Sequence, residues 1–501
     1  MNRTYEKLQE YLDRNQALNT ALILLDWDTA TLAPKAATEQ TARMVGILSE
    51  EQFNSIINDE VRELMHQLKE PNEWNQLTDV QKAVIKELER EYEQLEKIPV
   101  KEYKAYAELA AKSVTIWEDA KTNNDYKKFV PVLEQIIAYK KKFASYRKKK
   151  GQALYDVLLQ DYERDFNMEK LDEFFEKIKT ELVPFIKEVI HHSKDIDKSY
   201  NYLAYDPTKQ KEFCEFLAGY IGFDFNKGVI AESAHPFTTN LHNKDVRITN
   251  HFYKNNLESA MFSVIHEGGH AIYEMNIGDD ITQTLVGGGA SMGVHESQSR
   301  FYENIVGRNK AFWEPIYAKL QRTYPDQLND ITLDHFMKGI NLARLSLIRT
   351  EADELTYPLH ILVRYEMEKM IFSQEVDVHQ LNQIWNQKYK EYLGVTPPTD
   401  TAGILQDVHW AMGDFGYFSS YAVGSAIGAQ LYEYMKKVMP FEEYLREGKM
   451  DQISGFLKAH IHQYGMRKTA NELLKDTTGE EFNADYYINY LKEKYTELYL
   501  Q

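Results

Sequence analysis

Apolar side chains recur along most of this chain with the spacing of one helical face. Between residues 5 and 32 they fall at Leu8, Leu12, Leu18, Ala21, Leu22 and Leu25, and the pattern stops near Pro34. The same period continues from Thr38 to Lys69. Thr78 offers an N-cap to a helix carrying Val80, Val84, Ile85 and Leu88. Further helices are predicted over about 100–122, 126–150 and 168–196, the last opened by Asn167 as a cap. The period is lost from Ala234 to Tyr253, where alternation around Val246 and Ile248 predicts a short strand over Asp245–Thr249. Such a strand, just before a helix bearing metal ligands, could offer its edge to extended peptide backbone. A long apolar helix follows and ends near Gly278; another carries His295 and Glu296. Residues 333–376 read as helical with a kink at Pro358, and the tail from Ser419 is helix after helix.

These elements predict a mainly α fold, an elongated helical body with a small β insert. No internal repeat or low-complexity linker divides it. The simplest organisation is one domain over residues 1–501, with a helical half to about residue 230 and an insert-bearing half over 231–501. Gly287-Gly288-Gly289 lacks phosphate-loop spacing and a βαβ setting, so it reads as loop punctuation.

Charge narrows the partners. The formal net charge is -18, which argues against nucleic acid or an anionic membrane. The one basic cluster, Lys140 to Lys142 and Arg147 to Lys150, falls at a helix end before Gly151, where cations complement the helix dipole. No run of apolar residues is long enough to span a bilayer, and the first residues lack the apolar core of a signal peptide. The single cysteine, Cys214, sits among Phe213, Phe216 and Leu217 and has no partner for an internal disulfide. A cytoplasmic location is the expectation.

The apolar helix before Gly278 carries the chemistry. Its His266-Glu267-Gly268-Gly269-His270 places two imidazoles at i and i+4 on one face, where both can reach one metal ion. Glu267 stands beside that face, positioned to touch a water without ligating the ion. A catalytic zinc keeps three protein ligands and one open position, so a third ligand is needed. Glu296, His295 and Glu303 are the candidates about two dozen residues downstream, whereas Glu274 lies on the motif helix itself.

With those residues in place, the chain resembles the M32 family of metallocarboxypeptidases, the thermostable carboxypeptidase group. The motifs that carry the resemblance stand in family order. They are His235-Pro236-Phe237, Asp245-x-Arg247-x-Thr249, the His266 to His270 motif, His295-Glu296-Ser297, Ile348-Arg349-x-x-Ala352-Asp353, and Gly403-x-x-Gln406-Asp407-x-His409-Trp410. The resemblance implies a deep groove floored by the metal helix, a homodimer, one zinc per chain (with cobalt an alternative), and peptide substrates trimmed from the C-terminus with broad specificity. It selects Glu296 as third ligand beside His266 and His270, with Glu267 as general base and acid. It assigns His409 and Tyr421 to the oxyanion, with Tyr417 as the other nearby tyrosine. Arg349, with its fork suited to a carboxylate, is implied to bind the substrate's free end, Arg247 being a rival or auxiliary binder. Asp353 and His295 are implied to orient zinc ligands from behind. Without the resemblance, Arg349 and Asp353 would read only as an i, i+4 pair on a helix.

Zinc chemistry suits this set: the ion lowers the pKa of its water from about 16 towards 7, and a carboxylate takes the proton during attack on a carbonyl. Two other functions compete, an oligopeptidase cutting inside short peptides and a non-catalytic helical binding protein.

Overall fold

The computed structural model describes residues 2–500. Its first layer is helical: Arg3–Thr31, Thr38–Ile56, Asp59–Lys69 and Asp79–Leu95. These helices bury Leu8, Leu64, Leu68, Val84 and Leu88 in a small core of their own, which Ile277, Ile281 and Val286 join from the body. The helix expected from Thr38 to Lys69 is two helices. Asn58 breaks it by accepting the Val61 N–H at 2.9 Å, so its side chain starts a new helix where a continuous one would leave that group no role. Thr78 forms the expected cap, completed into a reciprocal box by Gln81.

Helices Val100–Asn123 and Tyr126–Arg147 pack side by side in the main core, separated by Asn124 in a left-handed conformation (φ 53°). The second stops at Arg147, short of residue 150. Arg147 turns back onto Asp161, its Nη1 donating to Oδ2 at 3.0 Å, and Lys148 to Lys150 lie beyond the helix. Asn167 caps Met168–Lys177 by accepting the Lys170 N–H.

Three strands form the insert: β1 (Gly228–Glu232), β2 (Thr238–His242) and β3 (Asp245–Asn250), in the order β1-β3-β2. The predicted strand is β3, and it is central. Parallel pairing with β1 and antiparallel pairing with β2 use both of its edges. The edge available to a further strand near the motif helix is therefore β2, whose Thr-Thr-Asn-Leu-His sequence carries no clear alternation. Val246 and Ile248 are fully buried against the motif helix, and Arg247 points to the opposite face.

The rest of the main core surrounds the helices Leu257–Met275, Met292–Arg300 and Phe418–Val438. The helix expected over 333–376 is interrupted. Leu333–Ile340 ends at Asn341, and the chain to Thr356 is irregular apart from one 3-10 turn at Arg349–Glu351. The next helix, Tyr357–Ser373, begins with Pro358 in its first turn, where the missing N–H costs nothing; the proline starts a helix instead of kinking one. Arg349 and Asp353 therefore do not face each other along a helix. Among the described residues no helix is long and apolar enough to cross a membrane.

Tyr357–Ser373 also carries Glu368, a fully buried carboxylate. It accepts from Trp410 Nε1 (2.7 Å), Gly416 N (2.8 Å) and Tyr155 Oη (2.8 Å). Burial outweighs those three donors and pushes its pKa up to about 7. Because the folded state holds this proton more tightly than the unfolded chain, the linked stability is complete below pH about 4.5 and is lost as pH rises through 7. The stability advantage of the wild type over Glu368→Gln should shrink by on the order of 2–3 kcal/mol between pH 5 and pH 8. Urea unfolding at the two pH values measures it, and a constant difference would show that Glu368 does not titrate in this window.

Candidate metal centre

The motif helix Leu257–Met275 starts at Asn256, whose side chain accepts the Ser259 N–H, and is buried along nearly its whole length. His266 and His270 share one face, their rings 5.0 Å apart. Met292–Arg300, capped by Ser291 through the Val294 N–H at 3.1 Å, delivers Glu296 to the same point. Glu296 Oε2 lies 3.9 Å from His266 Nε2 and 3.5 Å from His270 Nε2, and the three candidate donor atoms are all within 4.8 Å of one another. Donors bound to one tetrahedral zinc at about 2.0–2.1 Å would stand roughly 3.4 Å apart, so this set fits the ion with little adjustment. Two histidines and one carboxylate leave the fourth position open.

The convergence needs close helices. A Cβ on Gly269 would stand 2.8 Å from both Gln298 O and Ser299 Cα, backbone atoms of the Glu296 helix. A Cβ on Gly268 would meet only the end of the Ile221 side chain, at 2.6 Å.

Each imidazole is held from behind. His266 Nδ1 donates to Glu303 Oε2 at 2.8 Å. His270 Nδ1 lies 2.6 Å from His295 Nδ1, and His295 Nε2 lies 2.7 Å from Glu274 Oε1. A carboxylate can only accept, so His295 carries its proton on Nε2 and receives one from His270 Nδ1. That tautomer leaves His270 Nε2 with its lone pair directed at the metal position. Glu274 is fixed in turn by the Asn240 amide of β2. Arg300 ties the carboxylates together, donating from Nε to Glu296 Oε1 at 2.7 Å and from Nη1 to Glu303 Oε2 at 3.1 Å. Its guanidinium lies 4.3 Å from the Tyr357 ring centre.

The charges follow from these contacts. Burial alone would raise Glu296, but Arg300 and the two imidazoles hold its carboxyl far below the ordinary range, so it is ionised. Burial pushes His270 down to about 3, leaving a neutral imidazole. For His266 burial acts downward as well, yet the Glu303 hydrogen bond and the Glu296 charge hold it above its ordinary value. Glu267 is raised by burial against the opposing effects of His266 and Thr238. Thr238 Oγ1 of β2 donates to its Oε2 at 2.6 Å.

Across the centre, His409 Nε2 is 3.3 Å from Tyr421 Oη, and its buried Nδ1 has no hydrogen-bond partner. Burial pushes this imidazole down to about 4, so it is neutral near pH 7. Burial also raises Tyr421 well above the ordinary tyrosine value and Tyr417 to about 12, keeping both hydroxyls protonated. The two rings meet edge to face at 5.2 Å.

Arg349 is almost fully buried. Its Nε donates to Asp407 Oδ1 (3.0 Å) and its Nη1 to Tyr357 Oη (3.0 Å), and its guanidinium stands 4.8 Å from the Tyr421 ring centre. Arg247 is 23% exposed and uses Nε and Nη2 on the two oxygens of Asp245, both at 2.8 Å. Asp353 is not brought to the metal ligands. Its carboxylate accepts the Arg344, Leu355 and Thr356 N–H groups and the Thr356 hydroxyl, closing the irregular loop. The group behind His266 is Glu303, which the sequence offered only as an alternative ligand. Glu274, Arg300, Thr238 and Asn240 carry no sequence signal beyond their residue types, because strand and helix packing alone brings them in.

Comparison with known proteins finds relatives over nearly the whole chain. The family model described as Carboxypeptidase Taq (M32) metallopeptidase matches residues 7–495. The chain is 44% identical over 499 residues to Carboxypeptidase 1 of Bacillus subtilis (strain 168), covering 99% of each protein. It is 33% identical over 501 residues to Thermostable carboxypeptidase 1 of Pyrococcus furiosus, again with 99% of each covered. The crystal structure of an M32 carboxypeptidase from Deinococcus radiodurans R1 superposes with a TM-score of 0.96 at 30% identity, covering all of both chains.

Two outcomes are expected here. Glu303→Gln should weaken metal binding about 10- to 100-fold by removing the charge behind His266, as measured by chelator competition. Gly269→Ala should destabilise the fold by about 1–3 kcal/mol and Gly268→Ala by less, since only the first pushes a methyl into backbone. Equal unfolding midpoints for the two variants would refute that difference.

Proposed function

As a member of the M32 family the chain is a metallocarboxypeptidase, and we propose that its metal is zinc, held by His266, His270 and Glu296, and that it removes single residues from peptide C-termini. The observation that carries this reading is the convergence of those three donors, with Glu267 beside them and one position left open. When bound, the ion supplies Lewis acidity and an acidified water at neutral pH.

The chain's own residues do the rest. Glu267, oriented by Thr238 and raised by its burial, takes the proton of the attacking water and passes it to the leaving amine. His409, neutral, and Tyr421, protonated, are hydrogen-bond donors for the oxygen on which negative charge develops. The edge of β2 pairs with the extended substrate, since Thr238 on that strand touches the base.

Of the two arginines, Arg247 is the better receiver of the substrate carboxylate. Its Nη1 donates no hydrogen bond to the protein among the described residues, and it is partly exposed. In register it stands across from Thr239, next to Thr238. Arg349 is spent on Asp407 and Tyr357 and serves to position Tyr421. We also propose a homodimer, by analogy with the family, and a cytoplasmic location, with which the lone, buried Cys214 agrees.

The test uses a zinc-loaded preparation and one peptide with its C-terminus free or amidated. Mass spectrometry should show stepwise loss of C-terminal residues from the free peptide alone. Internal cleavage of the amidated peptide would mark an oligopeptidase, and no cleavage at one zinc per chain a binding protein. Glu267→Gln should retain zinc and lose at least about 100-fold in kcat; undiminished turnover would remove Glu267 from the mechanism.

A further inference from the structure

The first helical layer and the body have separate apolar cores, yet one side chain of the first helix reaches the strand that bears Arg247. Trp27, near the end of Arg3–Thr31, is buried, 7% exposed. Its ring meets Phe237 edge to face, with centres 5.8 Å apart and planes at 67°. The Arg247 guanidinium lies 5.7 Å from the same indole. We propose that Trp27 is a positioning residue for carboxylate recognition, holding Arg247 with its free edge turned to the substrate's C-terminal carboxylate. This rests on the assignment of that carboxylate to Arg247.

Two contacts define the guanidinium's orientation. Asp245 engages its Nε–Nη2 side with both oxygens, a bidentate contact that fixes the plane. The indole face approaches from the layer above and disfavours rotation out of that plane. The platform beneath is itself pinned: Thr249 Oγ1 accepts the Phe237 N–H at 3.0 Å, Phe237 O accepts the Thr249 N–H at 2.9 Å, and the Ser233 hydroxyl donates to Thr249 Oγ1 at 2.7 Å. Phe237 and Arg247 are therefore held in one frame, and Trp27 closes it. What remains unengaged is Nη1 with the second N–H of Nη2, a pair of parallel donors matching a carboxylate. A long, solvated arginine would otherwise lose rotamer freedom each time substrate binds; the indole removes part of that cost beforehand.

A tryptophan that only supported the fold would affect stability or kcat. One that orients Arg247 acts on KM, and only while Arg247 is present. Kinetics on an N-blocked dipeptide with a free apolar C-terminal residue separate the two, using the zinc-loaded wild type, Trp27→Ala, Trp27→Phe, Arg247→Ala and the Trp27→Ala/Arg247→Ala double variant. Arg247→Ala should raise KM about 100-fold, the loss of a charge-assisted bidentate contact. Trp27→Ala should raise KM about fivefold with kcat within twofold, and Trp27→Phe should recover most of it. In the Arg247→Ala background Trp27→Ala should add nothing to KM, and product inhibition by the free C-terminal amino acid should weaken in parallel with KM. An unchanged KM in Arg247→Ala would remove both the carboxylate assignment and this role for Trp27. A large Arg247 effect with additive or absent Trp27 effects would overturn the role of Trp27 alone. Should Trp27→Ala fail to fold, Trp27→Leu, which keeps apolar volume without the π face, must show the KM rise for the proposal to stand.

Discussion

Everything at this centre depends on how closely two helix backbones approach. Donor atoms for one metal must lie within a few ångströms of one another, and here two of them come from the motif helix and one from Met292–Arg300. Helices separated by ordinary side chains run about 8–10 Å apart, and a short glutamate on one would then have to stretch to meet histidines on the other. Gly269 removes that separation on one side of the Glu296 helix. Gly424 does the same on the other, where a Cβ would stand 2.7 Å from Glu296 Cβ and 2.8 Å from Gly293 O. The Glu296 helix is gripped between two glycine-bearing helices, and its carboxylate has little freedom in depth. Glycine within a helix costs about 1 kcal/mol of helical preference each time, so the contact is maintained against local propensity.

Close packing sets distances but not directions, and directions come from buried charge. Four carboxylates (Glu267, Glu274, Glu296 and Glu303) share this interior with Arg300, a hydrogen-bonded cation. Arg300 contacts the ligand Glu296 and the orienting Glu303 simultaneously, so neither can rotate without breaking a charge-assisted bond in low dielectric. Glu267 lacks such a cation and has a threonine hydroxyl instead. That difference separates their roles: the carboxylates beside Arg300 are fixed as anions, and the one beside Thr238 keeps an elevated affinity for a proton.

The sequence made the long elements plain, because the helical period and capping residues such as Thr78 and Asn167 are local properties. It also displayed two of the three candidate donors, since His266 and His270 obey a helix-face spacing. Properties that depend on tertiary packing were hidden. Strand β2 is polar at nearly every position because one face meets Glu267 and Glu274 through hydrogen bonds, so the usual apolar alternation is absent. The stretch 341–356 is rich enough in Leu and Ile to look helical, yet Arg349 and Asp353 are engaged in opposite directions, on Asp407 and on loop amides. Glu303 and Glu296 are both acids on the same turn system, and spacing alone could not say which faces the ion. The π-helical turn after Arg300, Phe301–Val306, shifts the register there and places Glu303 behind His266 instead of beside it.

The three-stranded sheet joins these separate requirements. On the face towards the motif helix, alternate residues of β2 reach Glu267 through Thr238 and the His270–His295–Glu274 relay through Asn240. On the opposite face, Arg247 stands across from Thr239 beneath Trp27. A strand has only two faces and alternates strictly between them, so displacement of β2 would disturb Glu267, the His270–His295–Glu274 chain and Arg247 together. The first helical layer presses on this sheet through Trp27 and Phe237, with its own core kept apart from the main one. A small β insert in a helical protein thus spaces Glu267 and the candidate metal centre on one face from Arg247 on the other, because a pleated strand holds side chains on two faces at fixed spacing, which an intervening loop could not do.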